Sequence, residues 1–193
     1  MKVAIIPARG GSTRIPRKNI RPFFGKPIMA YSIETAKRSG LFDEVYVSTE
    51  DDEIGQIARK YGAALIHRPP ELAEIGAPDC GTQEVTRHAI NVLQGHSQQI
   101  DYACCIYPCA PLLDPIDLRQ GWWEAQNRPY AYVKGLFYWG HADCFVEGRP
   151  LTSGIELPFP TDRYVDINTE AEWVMAEHKY SLLHGGVLIP VNQ

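Results

Sequence analysis

The stretch VAIIPARGGS at residues 3–12 joins a short apolar run to a glycine-rich, basic loop. Four consecutive apolar residues that end at Pro7 are typical of a strand buried inside a parallel sheet. Gly10 and Gly11 follow within a few residues, and glycines at such a place let backbone amides come close to an anion. The stretch therefore predicts a first strand that opens into an anion-binding loop at its carboxyl end.

The loop carries four cations within ten residues, namely Arg9, Arg14, Arg17 and Lys18. A triphosphate is bound by this combination of closely approaching amides and mobile positive charge. Neither the Walker A spacing nor Gly-x-Gly-x-x-Gly is present. A solvated basic turn would explain the charge, but it would not explain paired glycines soon after a buried strand. We therefore interpret residues 8–19 as a phosphate-binding loop.

Helical and extended patterns alternate along the rest of the chain. The patterns predict further strands at 44–48, 63–67, 102–107 and 165–167, and helices at 27–40, 52–61, 82–93, 115–126 and 169–182. Residues 130–139 are less regular and contain two β-prone runs. Strands that alternate with helices at short intervals indicate an α/β fold with a mostly parallel central sheet. We predict a single domain over residues 1–193.

Composition narrows the class of protein. The chain has 193 residues, 45% of them hydrophobic, and a net charge of −4, which argues against a nucleic-acid binder. No run approaches the roughly 18 apolar residues of a membrane helix. Lys2 and Arg9 make the N-terminus unlike a signal peptide, and the five cysteines include no Cys-x-x-Cys pair. We expect a cytoplasmic protein with reduced thiols.

Residues 4–20 resemble the first motif of the CMP-sugar synthetases, the cytidylyltransferases that act on N-acylneuraminic, pseudaminic and legionaminic acids. The resemblance continues in order through residues 25–27, 42–45, 47–49, 68–73, 106–113 and 166–170. Tyr107, residues 137–140 and residues 163–166 are most similar to the pseudaminic acid branch. The resemblance implies a three-layer, Rossmann-like nucleotidyltransferase fold of the nucleotide-diphospho-sugar transferase type. It also implies a homodimer that uses Mg²⁺ to transfer CMP from CTP to a nine-carbon acidic sugar.

Roles for individual residues follow from the same resemblance. It implies a CTP site made of Ala8, Arg9, Gly10, Gly11, Ser12, Arg14, Lys18, Asn19, Arg68 and Thr82. The sugar pocket would be lined by Tyr107, Pro108, Cys109 and Ala110. Asp166 and Asn168 would hold the metal. Catalysis is expected from Arg9, Lys18 and Asp166, with Lys18 neutralising charge on the departing pyrophosphate.

Two residues and one shortened segment depart from the family pattern. Thr13 replaces a usual lysine, and Asn168 replaces the second aspartate of Asp-x-Asp, which should weaken metal binding. The segment between Val133 and Phe137 is too short for the family's insertion, which carries sugar-contacting residues and a dimerisation arm. Two alternatives therefore stay open. The acceptor could be N-acylneuraminate, legionaminate or another ulosonic acid, or the protein could bind nucleotide without turnover.

Other candidate sites are weaker. The acidic run at residues 50–53 could suggest a metal site, but it lies at a predicted helix start, where acids stabilise the helix dipole. Cys109 follows a strand end, yet no arrangement of histidine and carboxylate supports it as a nucleophile. We therefore predict a structural role for the acidic run and no catalytic thiol.

Overall fold

A computed structural model describes residues 1–73 and 81–185. Its seven-stranded sheet is formed by β1 (Lys2–Pro7), β4 (Glu44–Thr49), β5 (Ala64–His67), β6 (Tyr102–Ile106), β7 (Tyr130–Val133), β8 (Phe137–His141) and β9 (Ile155–Glu156). The strand order within these described stretches is β5-β4-β1-β6-β8-β7-β9. Only β8 runs antiparallel to its neighbours in this sheet. Two short strands, β2 (Pro22–Phe23) and β3 (Lys26–Pro27), pair separately.

Six α-helices follow the strands in the described residues. They are α1 (Ile28–Ser39), α2 (Asp52–Lys60), α3 (Thr82–Gly95), α4 (Pro115–Ala125), α5 (Ala142–Val146) and α6 (Glu170–Leu183). Local sequence explains their ends. Asp51 caps α2, and Asp114 and Thr169 form capping boxes at α4 and α6. Gly40 ends α1 in the left-handed conformation with φ 65°.

Helices cover both faces of the sheet, as the alternation along β1 shows. Ala4 and Ile6 are fully buried in one apolar cluster with residues of α1, α2 and α4. Val3 and Ile5, which point the other way, are buried with residues of α3 and α5. A strand that is apolar on both faces is typical of a central parallel strand. The predicted three-layer α/β arrangement with a mostly parallel sheet is therefore confirmed.

A third apolar cluster lies outside these layers and helps to position the site. Phe23 of β2 packs edge-to-face against Trp173 of α6, with ring centroids 5.6 Å apart. Ile15, which lies in the phosphate-binding loop, is fully buried in the same cluster, together with Ile167. The cluster therefore holds the loop and the segment before α6 against each other.

The structure corrects one sequence expectation and specifies another. Residues 165–167 form no strand, and two of their carbonyl groups accept hydrogen bonds from side chains. Lys18 Nζ donates to Ile167 O at 2.5 Å, and Asn168 Nδ2 donates to Asp166 O at 3.3 Å. The irregular segment at 130–139 is an antiparallel hairpin formed by β7 and β8. Its three-residue turn is closed by Leu136 N–H, which donates to Val133 O at 3.0 Å.

No helix in the two described stretches is long and apolar enough to cross a membrane.

Candidate active site

A cleft of about 310 Å³ lies where the carboxyl ends of β1 and β6 meet the segment before α6. Ligands of open α/β sheets bind at this edge because the loops that follow parallel strands converge there. The cleft gathers twelve of the residues predicted for the site: Arg9, Ser12, Arg14, Lys18, Asn19, Arg68, Thr82, Tyr107, Pro108, Cys109, Asp166 and Asn168.

The remaining four predicted residues do not line the cleft. Ala8 and Ala110 are buried in the core, and Gly11 lies outside the cleft lining. Gly10 donates its N–H to Glu50 Oε1 at 2.7 Å. A side chain at Gly10 would overlap Asp51, so glycine is required there by close packing of the loop against the start of α2. In this structure the amide of Gly10 therefore faces a carboxylate of the protein.

The four cations of the loop have different partners. Arg17 pairs with Asp51 and with Glu53, the latter at 2.5 Å, and so binds the loop to α2. Arg14 Nη2 donates to Asn168 Oδ1 at 3.1 Å, and Lys18 reaches the backbone of Ile167. Arg9 is different: no hydrogen bond or ion pair engages its guanidinium within residues 1–73 and 81–185.

These contacts change the interpretation of the basic loop. Arg17 is one of the four cations of the loop, but its guanidinium pairs with Asp51 of the adjoining helix start and does not line the cleft. The acidic run at 50–53 supplies its partners, which supports the structural role predicted for that run. Arg9 is the cation whose side chain lies in the cleft without a protein partner in the described residues.

The buried side chain of Asn19 stabilises the loop through two hydrogen bonds. Its Nδ2 donates to Arg9 O at 2.8 Å, and its Oδ1 accepts from Cys109 Sγ at 3.2 Å. Burial raises the pKa of Cys109 to about 12, while Lys18 lowers this pKa and Asp166 raises it by smaller amounts. The thiol is therefore neutral and acts as a donor, which agrees with the prediction of no catalytic thiol.

Arg68 and Tyr107 line the opposite wall of the cleft. Arg68 is buried, and its Nη2 donates to Ser48 O at 2.8 Å, which orients the guanidinium. The hydroxyl groups of Tyr107 and Thr82 are hydrogen-bonded at 2.8 Å. Burial raises the pKa of Tyr107, so its phenol is neutral and able to donate. This wall therefore offers neutral hydroxyls beside one fixed cation.

Asp166 is the carboxylate that lines the cleft. The amide oxygen of Asn168, which was predicted as a second metal ligand, accepts from Arg14 instead. No group of three or more His, Cys, Asp or Glu side chains suited to a metal ion occurs in the described residues. One carboxylate is nevertheless a suitable protein ligand for Mg²⁺, which commonly takes its other ligands from substrate phosphates and water. The donor set therefore fits a metal that arrives with a nucleotide.

Sequence reasoning did not include several residues that line the cleft. They are Pro7, Gly81, Val85, Gly135 and Ile167, together with Thr13, which was noted only as a departure. Gly135 belongs to the hairpin turn, and a Cβ atom built on it would lie 3.0 Å from Asp166 Cγ. A glycine between two β-prone runs was the available signal, but its neighbour lies 31 positions away and depends on the fold.

Comparison with known proteins shows the family of this chain. Residues 3–141 match the cytidylyltransferase family model. A pseudaminic acid cytidylyltransferase of Campylobacter jejuni is 49% identical over 181 residues, which cover 92% of this chain and 68% of that protein. An N-acylneuraminate cytidylyltransferase of Escherichia coli is 41% identical over 90 residues, covering 47% of this chain and 21% of that protein.

The fold is also found in solved structures. The structure of CMP:2-keto-3-deoxy-manno-octonic acid synthetase complexed with CTP superimposes with a TM-score of 0.69. The match covers 94% of this chain and 99% of that chain at 16% identity, and so it confirms the nucleotidyltransferase fold. The family model spans most of the chain and ends with β8, so it includes the basic loop and six of the seven strands of the sheet, whereas β9 and the segment before α6 follow it. This chain belongs to the cytidylyltransferase family.

Proposed function

We propose that this protein transfers CMP from CTP to a nonulosonic acid, with pseudaminic acid as the acceptor, and releases pyrophosphate. The observation that carries the proposal is the meeting of Arg9, Lys18, Arg68 and Asp166 in one cleft. The Campylobacter jejuni relative, named for pseudaminic acid, supports the choice of acceptor. The sequence alone led to the same assignment.

The nucleotide would lie along the loop, with its triphosphate near Arg9, Ser12 and Lys18. Arg9 is suited to a phosphate because its guanidinium has no competing partner in the described residues and can make two parallel hydrogen bonds. Arg68 and Thr82 would contact the base side of CTP. Phosphoryl-type transfers depend mainly on positioning and charge neutralisation, which is the chemistry that these side chains provide.

Lys18 would neutralise charge that develops on the leaving pyrophosphate. Its Nζ is held by the carbonyl of Ile167, so the ammonium group is positioned before substrate binds. Fixed positive charge of this kind stabilises a transition state without further reorganisation.

Asp166 would hold a divalent metal, which we propose to be Mg²⁺. When bound, the metal would polarise the α-phosphate and lower the pKa of the attacking sugar hydroxyl. Asn168 would contribute indirectly, because it orients Arg14. The lost aspartate at this position removes one negative charge, so we expect a metal site that depends strongly on the bound triphosphate.

The acceptor would lie beside Tyr107, Pro108 and Cys109, opposite the triphosphate. The β7–β8 turn adds a wall here, since Gly135 lines the same cleft. An N-acylneuraminate, legionaminate or another ulosonic acid would use the same chemistry, and the Escherichia coli relative named for N-acylneuraminate supports that second candidate. A protein that binds nucleotide without turnover is the third candidate, favoured by Thr13 and Asn168.

A release assay separates the three candidates. The protein is incubated with CTP, Mg²⁺ and, in turn, pseudaminic, legionaminic and N-acetylneuraminic acids, while pyrophosphate is measured. We expect release with pseudaminic acid well above that with the other two. Preference for another acid would support the second candidate, and binding of CTP without release for any acid would support the third.

Asp166→Ala tests the metal assignment in the same assay. We expect it to abolish metal-dependent release, with an unchanged circular dichroism spectrum. Loss of the sole carboxylate ligand in the described cleft should weaken binding of Mn²⁺, used as a spectroscopic probe, in the presence of CTP. Near-normal release by this variant would refute the role of Asp166.

The family resemblance also suggests a cytoplasmic homodimer that binds neither nucleic acid nor membrane. Reduced thiols are the state expected of cysteines in this compartment. These assignments are proposals that rest on the resemblance and on composition.

A further inference from the structure

Glu50 lies behind the phosphate-binding loop, directly after β4. The strands β1 and β4 are parallel neighbours, with Pro7 opposite Ser48, so the loops that follow them meet at the same edge of the sheet. Glu50 Oε1 accepts the N–H of Gly10 at 2.7 Å, across 40 positions of sequence. Glu50 therefore joins the loop that follows β4 to the loop that would bind the triphosphate.

The acidic residues next to Glu50 have other partners. Asp51 is the cap of α2, accepting from Ile54 N–H at 3.0 Å, and Asp52 and Glu53 lie in the first turn. Asp51 and Glu53 also pair with Arg17, whereas the carboxylate of Glu50 accepts the N–H of Gly10. Helix capping therefore does not account for a glutamate at this position.

The environment of Glu50 is costly for a carboxylate. Its Oε2 is buried and has no hydrogen-bond partner in the described part of the chain. A buried, unpaired carboxylate oxygen destabilises a fold, and such an atom requires an explanation in function or in local structure. The hydrogen bond from Gly10 is the compensating contact that the structure shows.

Gly10 links Glu50 to residues that line the cleft. The carbonyl of Gly10 accepts the N–H of Ser12 at 3.0 Å, so Glu50 holds one side of the Gly10 residue and Ser12 the other. Arg9 and Ser12, on either side, both line the cleft, whereas neither Gly10 nor Glu50 does. The direction of the Arg9 side chain follows from the backbone that Glu50 and Asn19 hold.

We propose that Glu50 is a positioning residue for the nucleotide site. Its carboxylate oxygen fixes the amide of Gly10 and thereby directs Arg9 and Ser12 toward the triphosphate. The proposal rests on the proposed function, since it assumes that the loop binds CTP. What matters is the acceptor atom at the right distance, and the negative charge, which would repel a triphosphate, is dispensable.

Two variants separate the effect of the length of the Glu50 side chain from the effect of its charge. Glu50→Gln keeps an oxygen at the same distance and removes the charge, whereas Glu50→Asp keeps the charge and shortens the side chain by one methylene. Asp52→Asn is the matched control. It removes one negative charge two positions from Glu50, at an exposed side chain for which no contact with the loop is seen in the described residues. CTP binding is measured by calorimetric titration without sugar or metal, and KM for CTP and kcat are measured with both.

We expect Glu50→Gln to bind CTP within about threefold of the parent protein, or more tightly, and Asp52→Asn to be unchanged. Glu50→Asp should weaken binding about tenfold, as expected for loss of the hydrogen bond that holds the amide of Gly10. Its KM for CTP should rise by the same factor with little change in kcat. Thermal unfolding of each variant shows whether the fold is intact.

Equal CTP affinity of Glu50→Asp and the parent protein would overturn the proposal. So would a Glu50→Gln variant as weak as Glu50→Asp, because charge would then be the cause. If the parent protein itself does not bind CTP, the proposed function fails instead, and the two failures are thus distinguishable. A fall in kcat with unchanged KM would also contradict a role in nucleotide positioning.

Discussion

Gly135 shows how a single residue can limit the space around the proposed metal ligand. Its φ of 75° lies in the left-handed region, and a Cβ atom there would lie 3.0 Å from Cγ and 3.1 Å from Oδ2 of Asp166. The turn cannot easily move away, because Tyr107 N–H donates to Leu136 O at 2.8 Å and Tyr164 OH donates to Lys134 O at 3.2 Å. Glycine at this position therefore leaves room for the carboxylate.

We predict that Gly135→Ala lowers metal-dependent pyrophosphate release at least tenfold, because Asp166 must shift to make room for the methyl group. The left-handed backbone should also cost about 1 kcal/mol of stability. CTP binding without metal should change little, since the added methyl group would meet Asp166. Rates at increasing Mg²⁺ concentration, calorimetric CTP titration and thermal unfolding provide the measurements.

Gly148→Ala is the matched control for this prediction. Gly148 has a similar φ of 72°, but the nearest atom to its Cβ position is Arg87 Nη1 at 3.8 Å, and it does not line the cleft. The control should therefore lose comparable stability and keep its activity. Equal activity of the two variants would show that Gly135 does not act through Asp166.

At the scale of elements, α3 joins the cleft to the protein interior. Thr82 and Val85, in its first turn, line the cleft, and His88 follows one turn later. Burial lowers the pKa of His88, and the positive charges of Arg68 and His67 lower it further. The Nδ1 atom of His88 is buried and has no hydrogen-bond partner in the described residues. The helix therefore contains a histidine that the folded state favours in its neutral form.

This histidine should make stability depend on pH. Because the pKa of His88 is lower in the folded state than its usual value of about 6.5, only the unfolded state takes up the proton just below that pH. The resulting loss of unfolding free energy is absent above pH 6.5. It grows as the pH falls from 6.5 to the pKa that His88 has in the folded state. Urea unfolding measures this effect at pH 7.5 and 5.5. Between these pH values, His88→Gln should lose less free energy of unfolding than the parent protein.

His96→Gln provides the comparison for His88, since His96 is exposed at the end of the same helix. Its loss of stability between the two pH values should equal that of the parent protein. If His88→Gln also behaves like the parent protein, burial of His88 does not contribute to the pH dependence.

At the scale of the whole molecule, the sheet edge and the segment before α6 line one cleft. The loop after β1, the end of β6 and residues 166–168 all line it. Contacts across the cleft, such as Arg14 to Asn168, come from parts of the chain 154 positions apart. The residues proposed to bind the nucleotide therefore meet through contacts between distant parts of one chain.

Assembly is nevertheless expected from the family resemblance. We predict a homodimer, although β7 and β8 are joined by a short turn where the family carries its dimerisation arm. Light scattering at micromolar concentration should give twice the 21.7 kDa mass of one chain. A monomer in that measurement would contradict the prediction.

The sequence by itself determined the strand and loop at residues 3–19, the capped helices and the family. Those features are local: an apolar run, paired glycines and capping residues act on neighbours a few positions away. The strand predicted at 165–167 is wrong, and the structure shows the carbonyl of Ile167 accepting from Lys18, which lies 149 positions away and is not part of the local pattern.

Only the tertiary structure decided which charged groups face the cleft. Arg17 looks like Arg9 in the sequence, but the packing of the loop against α2 gives it Asp51 as a partner 34 positions away. Likewise, Gly10 meets Glu50 because β1 and β4 are neighbours in the sheet. The strength of a hydrogen bond or ion pair depends on distances of a few ångström, and strand order, which no local pattern encodes, sets those distances.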